Sequence, residues 1–128
     1  MPPLEAAAIY VGLNILLLVG LGLRVALTRR ASQVSIGYGG NTVLETRVRV
    51  HGNASEYIPA MLVALVAAAY MGIPALWIHV LGVTFTLGRL LHVYGLSANV
   101  LPARASGMML TLIPMAIIAL MLIYHGLA

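Results

Sequence analysis

The chain contains no cysteine and no lysine, and only 8% of its residues are charged. Without cysteine, disulfides and thiol chemistry by the protein itself are excluded, so any thiol must arrive on a small molecule. A soluble domain carries about 25% charged residues, and the deficit here excludes an ordinary water-soluble fold. Acids are scarcest of all: Glu5, Glu45 and Glu56 stand against seven arginines, for a formal net charge of +4. Such a balance can mark nucleic-acid binding. These arginines, however, lie between apolar segments, which fits membrane topology and anion binding. The opening stretch MPPLEAAAIY has no basic region before its apolar run, so no cleavable signal peptide is expected.

What the sequence has in quantity is hydrophobicity: 62% of its residues are hydrophobic and the mean hydropathy is +1.03. A helix needs about 20 mainly apolar residues to cross the hydrocarbon core, and runs of that kind fall at roughly 6–27, 53–71, 75–96 and 107–125. The second helix is expected to begin earlier than its apolar run, near residue 43. Each run is far too long for a barrel strand, and an open sheet edge has no place in lipid. The reading is an all-α integral membrane protein, one four-transmembrane-helix bundle spanning 1–128. Pro74 suits the first turn of the third helix, and Pro102 stands as a break before the fourth.

Orientation follows from arginine. Arg24, Arg29, Arg30, Arg47 and Arg49 lie in or beside the first loop, and Arg104 lies in the third. The second loop and both termini carry no basic side chain except the outer histidines. The positive-inside rule therefore puts loops 1 and 3 in the cytoplasm and both termini outside. The GYGGN segment at 37–41 follows no strand, and it reads as a flexible loop rather than a phosphate cradle. His79 and His125 read as outer-interface residues, and the small residues Ala60, Ala64, Ala67, Ala68, Gly82, Gly88 and Gly95 read as sites of close helix contact.

The polar residues are not scattered. In RVRVHGNASEYIP (47–59), Arg49, Asn53 and Glu56 are spaced i, i+4, i+7, on one helical face. In GRLLHVYG (88–95), Arg89 and His92 are spaced i, i+3. Glu56 and Arg89 lie roughly 6 and 10 Å inside the arginine-rich ends of their spans, on a rise of about 1.5 Å per residue. Charges at such depth are unfavourable, so they should pair or face a wet cavity. A Glu56–Arg89 ion pair locking the second helix to the third accounts for those two residues. It leaves Arg49, His51, Asn53, Tyr57, His92 and Arg104 unexplained, and a polar pocket explains them. Guanidinium in excess over carboxylate favours an anionic ligand. Asn53 and Tyr57 add neutral hydrogen bonds, and Glu56 suits an ammonium. A zwitterion with several carboxylates fits this set. No metal site is expected, because His51 and His92 lack a clustered set of carboxylate or thiolate partners.

These motifs resemble the MAPEG family, the membrane-associated proteins of eicosanoid and glutathione metabolism, and within it a bacterial subgroup. The helix-2 pattern Arg-x-x-x-Asn-x-x-Glu is met by Arg49, Asn53 and Glu56, with Tyr57 and Pro59 as in the leukotriene C4 synthase-like branch. Arg89 and His92 resemble the helix-3 element, and PAR at 102–104 resembles the Pro-x-Arg before the fourth helix. The resemblance implies a homotrimer with glutathione bound between subunits as co-substrate. Its contacts would be Arg24, Arg49, Asn53, Glu56, Tyr57, Arg89 and His92. Arg104 would be the catalytic residue, stabilising the glutathione thiolate for attack on a lipophilic electrophile taken from the bilayer.

Three positions depart from the pattern. Gly52 stands where some members have arginine, Leu96 where several have tyrosine, and Ala105 where eicosanoid-making members often have serine. Prostaglandin or leukotriene synthesis is therefore not implied. The expected function is that of a glutathione transferase or peroxidase, and the alternative is a glutathione-binding or scaffold protein without catalysis. A small four-helix proton-coupled exporter fits least. Its carboxylate must switch protonation, and arginines beside Glu56 would hold it ionised.

Overall fold

A computed structural model describes all 128 residues. It is all helical: α1 (Pro3–Ser32), α2 (Thr42–Tyr70), α3 (Ala75–Ser97) and α4 (Leu101–Leu127). All four are long and apolar enough to cross a membrane. The helices outrun the apolar spans at the arginine-rich end, because helix formation needs hydrogen bonds and not hydrophobicity. α2 begins at Asn41, whose side chain caps the helix by accepting from Leu44 N at 3.0 Å, with Glu45 in the first turn where the helix dipole favours an acid. α1 ends with Arg29 and Arg30 in its last turn and Gln33 in the left-handed region.

Two proline placements differ from expectation. Pro102 lies inside the first turn of α4, where its missing N–H costs nothing, and does not separate the spans. Pro74 is the N-cap of α3, one residue ahead of the helix. The α2–α3 turn is closed by Gly72 at φ 80°, a conformation that a side chain would disfavour.

The core lies on one stripe of each middle helix. Ala54, Ile58, Met61, Leu65 and Ala68 of α2 are buried at i, i+4, i+7, i+11, i+14 spacing, against Ile78, Leu81 and Phe85 of α3 and Ile118 of α4. The outer faces carry leucine and valine instead of charge; Leu16, Val63, Leu76 and Leu120 are all 68–70% exposed. In water such a surface would drive aggregation, whereas in lipid it is the matched surface.

Glycine sets the α3–α4 distance. A Cβ on Gly88 would fall on Leu110, one on Gly95 on the backbone of Ala103 and Arg104, and one on Gly107 on the backbone of His92. Without a hydrophobic drive between helices in lipid, this close backbone approach is what holds them together. Gly107 does for α4 what the α3 glycines do for their own helix.

α1 is held to α3 by polar groups. Asn14 is fully buried and its amide donates to Thr86 Oγ1 and to Tyr10 O, each at 2.9 Å. The Tyr10 hydroxyl meets His79 Nδ1 at 2.8 Å, and its ring lies over Gly82. His79, expected at the outer interface, is thus part of a helix–helix seam, because α1 brings a phenol within its reach.

Two substitutions test this packing by reversible unfolding in detergent. Gly95→Ala should destabilise the bundle by about 1–3 kcal/mol through overpacking. Asn14→Ala should cost about 1 kcal/mol, the scale of a hydrogen bond between membrane helices.

Candidate functional site

At the arginine-rich end, α2, α3 and α4 diverge around a cavity of about 710 Å³. α2 supplies Arg49, Asn53 and Glu56, whose i, i+4, i+7 spacing keeps them within roughly 60° of one another at 3.6 residues per turn. α3 supplies His92 and Leu96 as the back wall. α4 supplies Arg104 from its first turn, with Leu101, Ala105 and Met108 beside it. Tyr38, from the loop between α1 and α2, completes the rim.

Arg89 lies behind the cavity, not on its surface. It is fully buried, and its Nη2 donates to Asn53 Oδ1 at 2.6 Å. Its guanidinium carbon lies 5.5 Å from the centre of the Tyr57 ring, a cation–π contact. Nε and Nη1 have no partner within the chain. The Glu56–Arg89 pair considered from sequence is therefore replaced by Asn53–Arg89. Asn53 lies almost one turn nearer the α2 start, and its amide oxygen takes the guanidinium. Glu56 stays exposed on the cavity wall, where its carboxylate keeps water.

His92 is 2% exposed, and its Nδ1 lies 3.1 Å from the carbonyl oxygen of Arg104. A carbonyl can only accept, so Nδ1 carries the hydrogen in this bond. In the neutral ring, Nε2 is then an acceptor, and it has no partner within the chain. The contact also ties the cavity's back wall to the first turn of α4. Arg104 itself is exposed on the cavity.

Not every expected site residue joins this cavity. Arg24 lies in a separate cleft of about 280 Å³ with Arg47, Thr42, Thr46 and Ser97, and both of its terminal nitrogens lie 3.4 Å from Ser97 Oγ. Tyr57 and Arg89 support the cavity from behind. Arg49, Asn53, Glu56, His92 and Arg104 are brought together in it.

Tyr38 was missed, because its GYGGN segment reads as a flexible loop. The structure folds that segment with Gly37, Gly39 and Gly40 at positive φ. Arg29 pins it by donating to Gly37 O at 2.8 Å and Val34 O at 3.3 Å. The three glycines in four residues were the available signal; the latch from Arg29 was not visible.

The cavity thus offers two guanidiniums against one carboxylate, with an imidazole acceptor and an amide between them. It can hold two anionic groups and one ammonium of a single small ligand. The MAPEG family model matches residues 7–124. The chain is also similar to Inner membrane protein YecN of Escherichia coli strain K12, at 35% identity over 105 residues, covering 82% of this chain and 80% of that protein. The same protein of Escherichia coli O6:H1 strain CFT073 matches with the same identity and coverage.

The geometry separates a buried role from a surface one. Asn53→Ala should destabilise the protein by about 2 kcal/mol, because a buried charged donor loses its hydrogen bond. Arg49→Ala, at an exposed position, should stay within roughly 0.5 kcal/mol of wild type. Unfolding of both variants in the same detergent measures the difference.

Proposed function

The chain belongs to the MAPEG family, and from that premise we propose that it binds glutathione in the α2–α3–α4 cavity and conjugates it to lipophilic electrophiles as a transferase, or uses it as a peroxidase. The observation that carries this reading is the convergence of Arg49, Asn53, Glu56, His92 and Arg104 on one cavity. Glutathione has two carboxylates, one ammonium and a thiol. Arg49 takes a carboxylate, Glu56 takes the ammonium, and Asn53 and His92 fix the peptide between them. Arg89 and Tyr57 position Asn53 from behind.

Arg104 faces the thiol in this reading. A free thiol has a pKa of about 8.5 and is mostly protonated at neutral pH. Lowering that value by two units requires about 2.7 kcal/mol, within reach of one close guanidinium in a partly dry site. In the transferase reaction the thiolate sulfur then forms the new bond to the electrophilic carbon, and the displaced electron pair leaves with the departing group or takes up a proton.

The assembly belongs to the same proposal. Arg24 lies in its own cleft, which supports a homotrimer in which Arg24 meets the glutathione of a neighbouring subunit. Loops 1 and 3, where the arginines gather, face the cytoplasm, and both termini face outward. A C-terminal alkaline phosphatase fusion should accordingly be active, and a C-terminal green fluorescent protein fusion dark.

Titration of the purified protein with glutathione, followed by ultraviolet thiolate absorbance and then addition of an electrophile, tests the chemistry. Arg49→Ala and Glu56→Ala should weaken binding about tenfold or more, each removing one charged contact of roughly 1.5–3 kcal/mol. Arg104→Ala should retain binding and lose the thiolate signal. Binding without thiolate in the wild type would favour a non-catalytic glutathione-binding protein, the reading for which the Gly52, Leu96 and Ala105 departures speak. No binding at all would end the glutathione proposal.

A further inference from the structure

Four glycines inside helices have an evident structural cause: Gly82, Gly88, Gly95 and Gly107 each lie where a Cβ would collide with a neighbouring helix. Gly52 is different. It lies in the interior of α2, where glycine weakens a helix relative to alanine, yet nothing within 4 Å would meet a Cβ there. It also lines the large cavity, one residue from Asn53. Bare backbone facing an open cavity is what a closely approaching ligand requires.

The rest of that wall shows what kind of ligand group would lie there. Val48 adjoins Gly52 on the same side of α2, four residues earlier. Leu101, Ala105 and Met108 of α4 follow i, i+4, i+7 spacing and form one stripe, and Leu96 of α3 adjoins them. None of these side chains bears a polar group. The cavity therefore has a charged rail at Arg49, Asn53 and Glu56 on α2 and, facing it on α4, an apolar stripe interrupted only by Arg104. His92, nearly fully buried with Nε2 unpartnered, stands on the back wall they share.

We propose that Gly52 is the size-determining residue of the second-substrate seat, and that its bare backbone admits the apolar arm of an electrophile lying between Val48 and the Leu101–Ala105–Met108 stripe. The inference rests on the glutathione reading and adds where the second substrate sits and which residue limits it. It also explains the departure at this position: a long side chain at Gly52 would fill the seat.

Calorimetric binding of glutathione and of S-hexylglutathione to the full chain in detergent tests it, with the wild type compared with Gly52→Ala and Gly52→Leu. Wild type should bind the S-hexyl compound roughly tenfold tighter or more, the effect of burying about two methylenes. Gly52→Leu should abolish that preference and leave glutathione affinity unchanged, and Gly52→Ala should reduce it in part. Thermal stability should not fall, since both replacements are better helix formers. Equal effects on the two ligands, or none on either, would overturn the proposal. So would a change in oligomer size in both variants, which would assign the bare backbone to contact with a second copy. Wild type that binds neither compound would instead refute the glutathione reading itself, and this inference with it.

Discussion

A guanidinium buried between two membrane helices, with no carboxylate bonded to it, constrains the rest of this molecule. Arg89 is fully enclosed and makes one side-chain hydrogen bond, to Asn53. Leaving that charge without its partner would cost far more than the bond contributes. The register of α2 against α3 is therefore held to the one that brings Asn53 to Arg89. With that register set, Arg49 and Glu56, on the same α2 face as Asn53, are carried to the cavity wall. The positions of the cavity-lining charges follow from a contact whose guanidinium is buried behind them.

The other wall is set by the absence of side chains. Gly88, Gly95 and Gly107 let α3 and α4 approach backbone to backbone, and His92 bonds to the Arg104 carbonyl across that contact. Arg104 thus sits on a first turn fixed at its carbonyl while its side chain remains free to face the cavity. The backbone of that turn is fixed across the α3–α4 contact, and the guanidinium extends from it onto the cavity.

How much of this was legible in the sequence depends on the range of the interaction. The four spans and the shared face of Arg49, Asn53 and Glu56 could be read directly, since helical periodicity is local. The partner of Arg89 could not. Depth along the span brought Glu56 and Asn53 almost equally close, and only the packed helices decide between two residues three apart. The separate cleft around Arg24 was hidden for the same reason: its position along α1 was clear, but which neighbour it faced was not. The partner of His79 was equally hidden, since Tyr10 lies 69 positions away in sequence. Tyr38 was invisible because the residue that organises its loop, Arg29, lies in the preceding helix.

The missing lysine belongs to the same physics. Burial in a low-dielectric surrounding disfavours a charged ammonium, and a lysine there readily gives up its proton. Arginine keeps its charge under the same conditions and spreads it over a planar fork. A cation at the end of a membrane bundle is half dry, and arginine is the side chain that stays charged there. All seven side chains that carry a fixed positive charge here are arginine. In one cavity at the arginine-rich end of the bundle, these guanidiniums stand beside apolar side chains, and a fixed positive charge there keeps its full strength because arginine does not give up its proton.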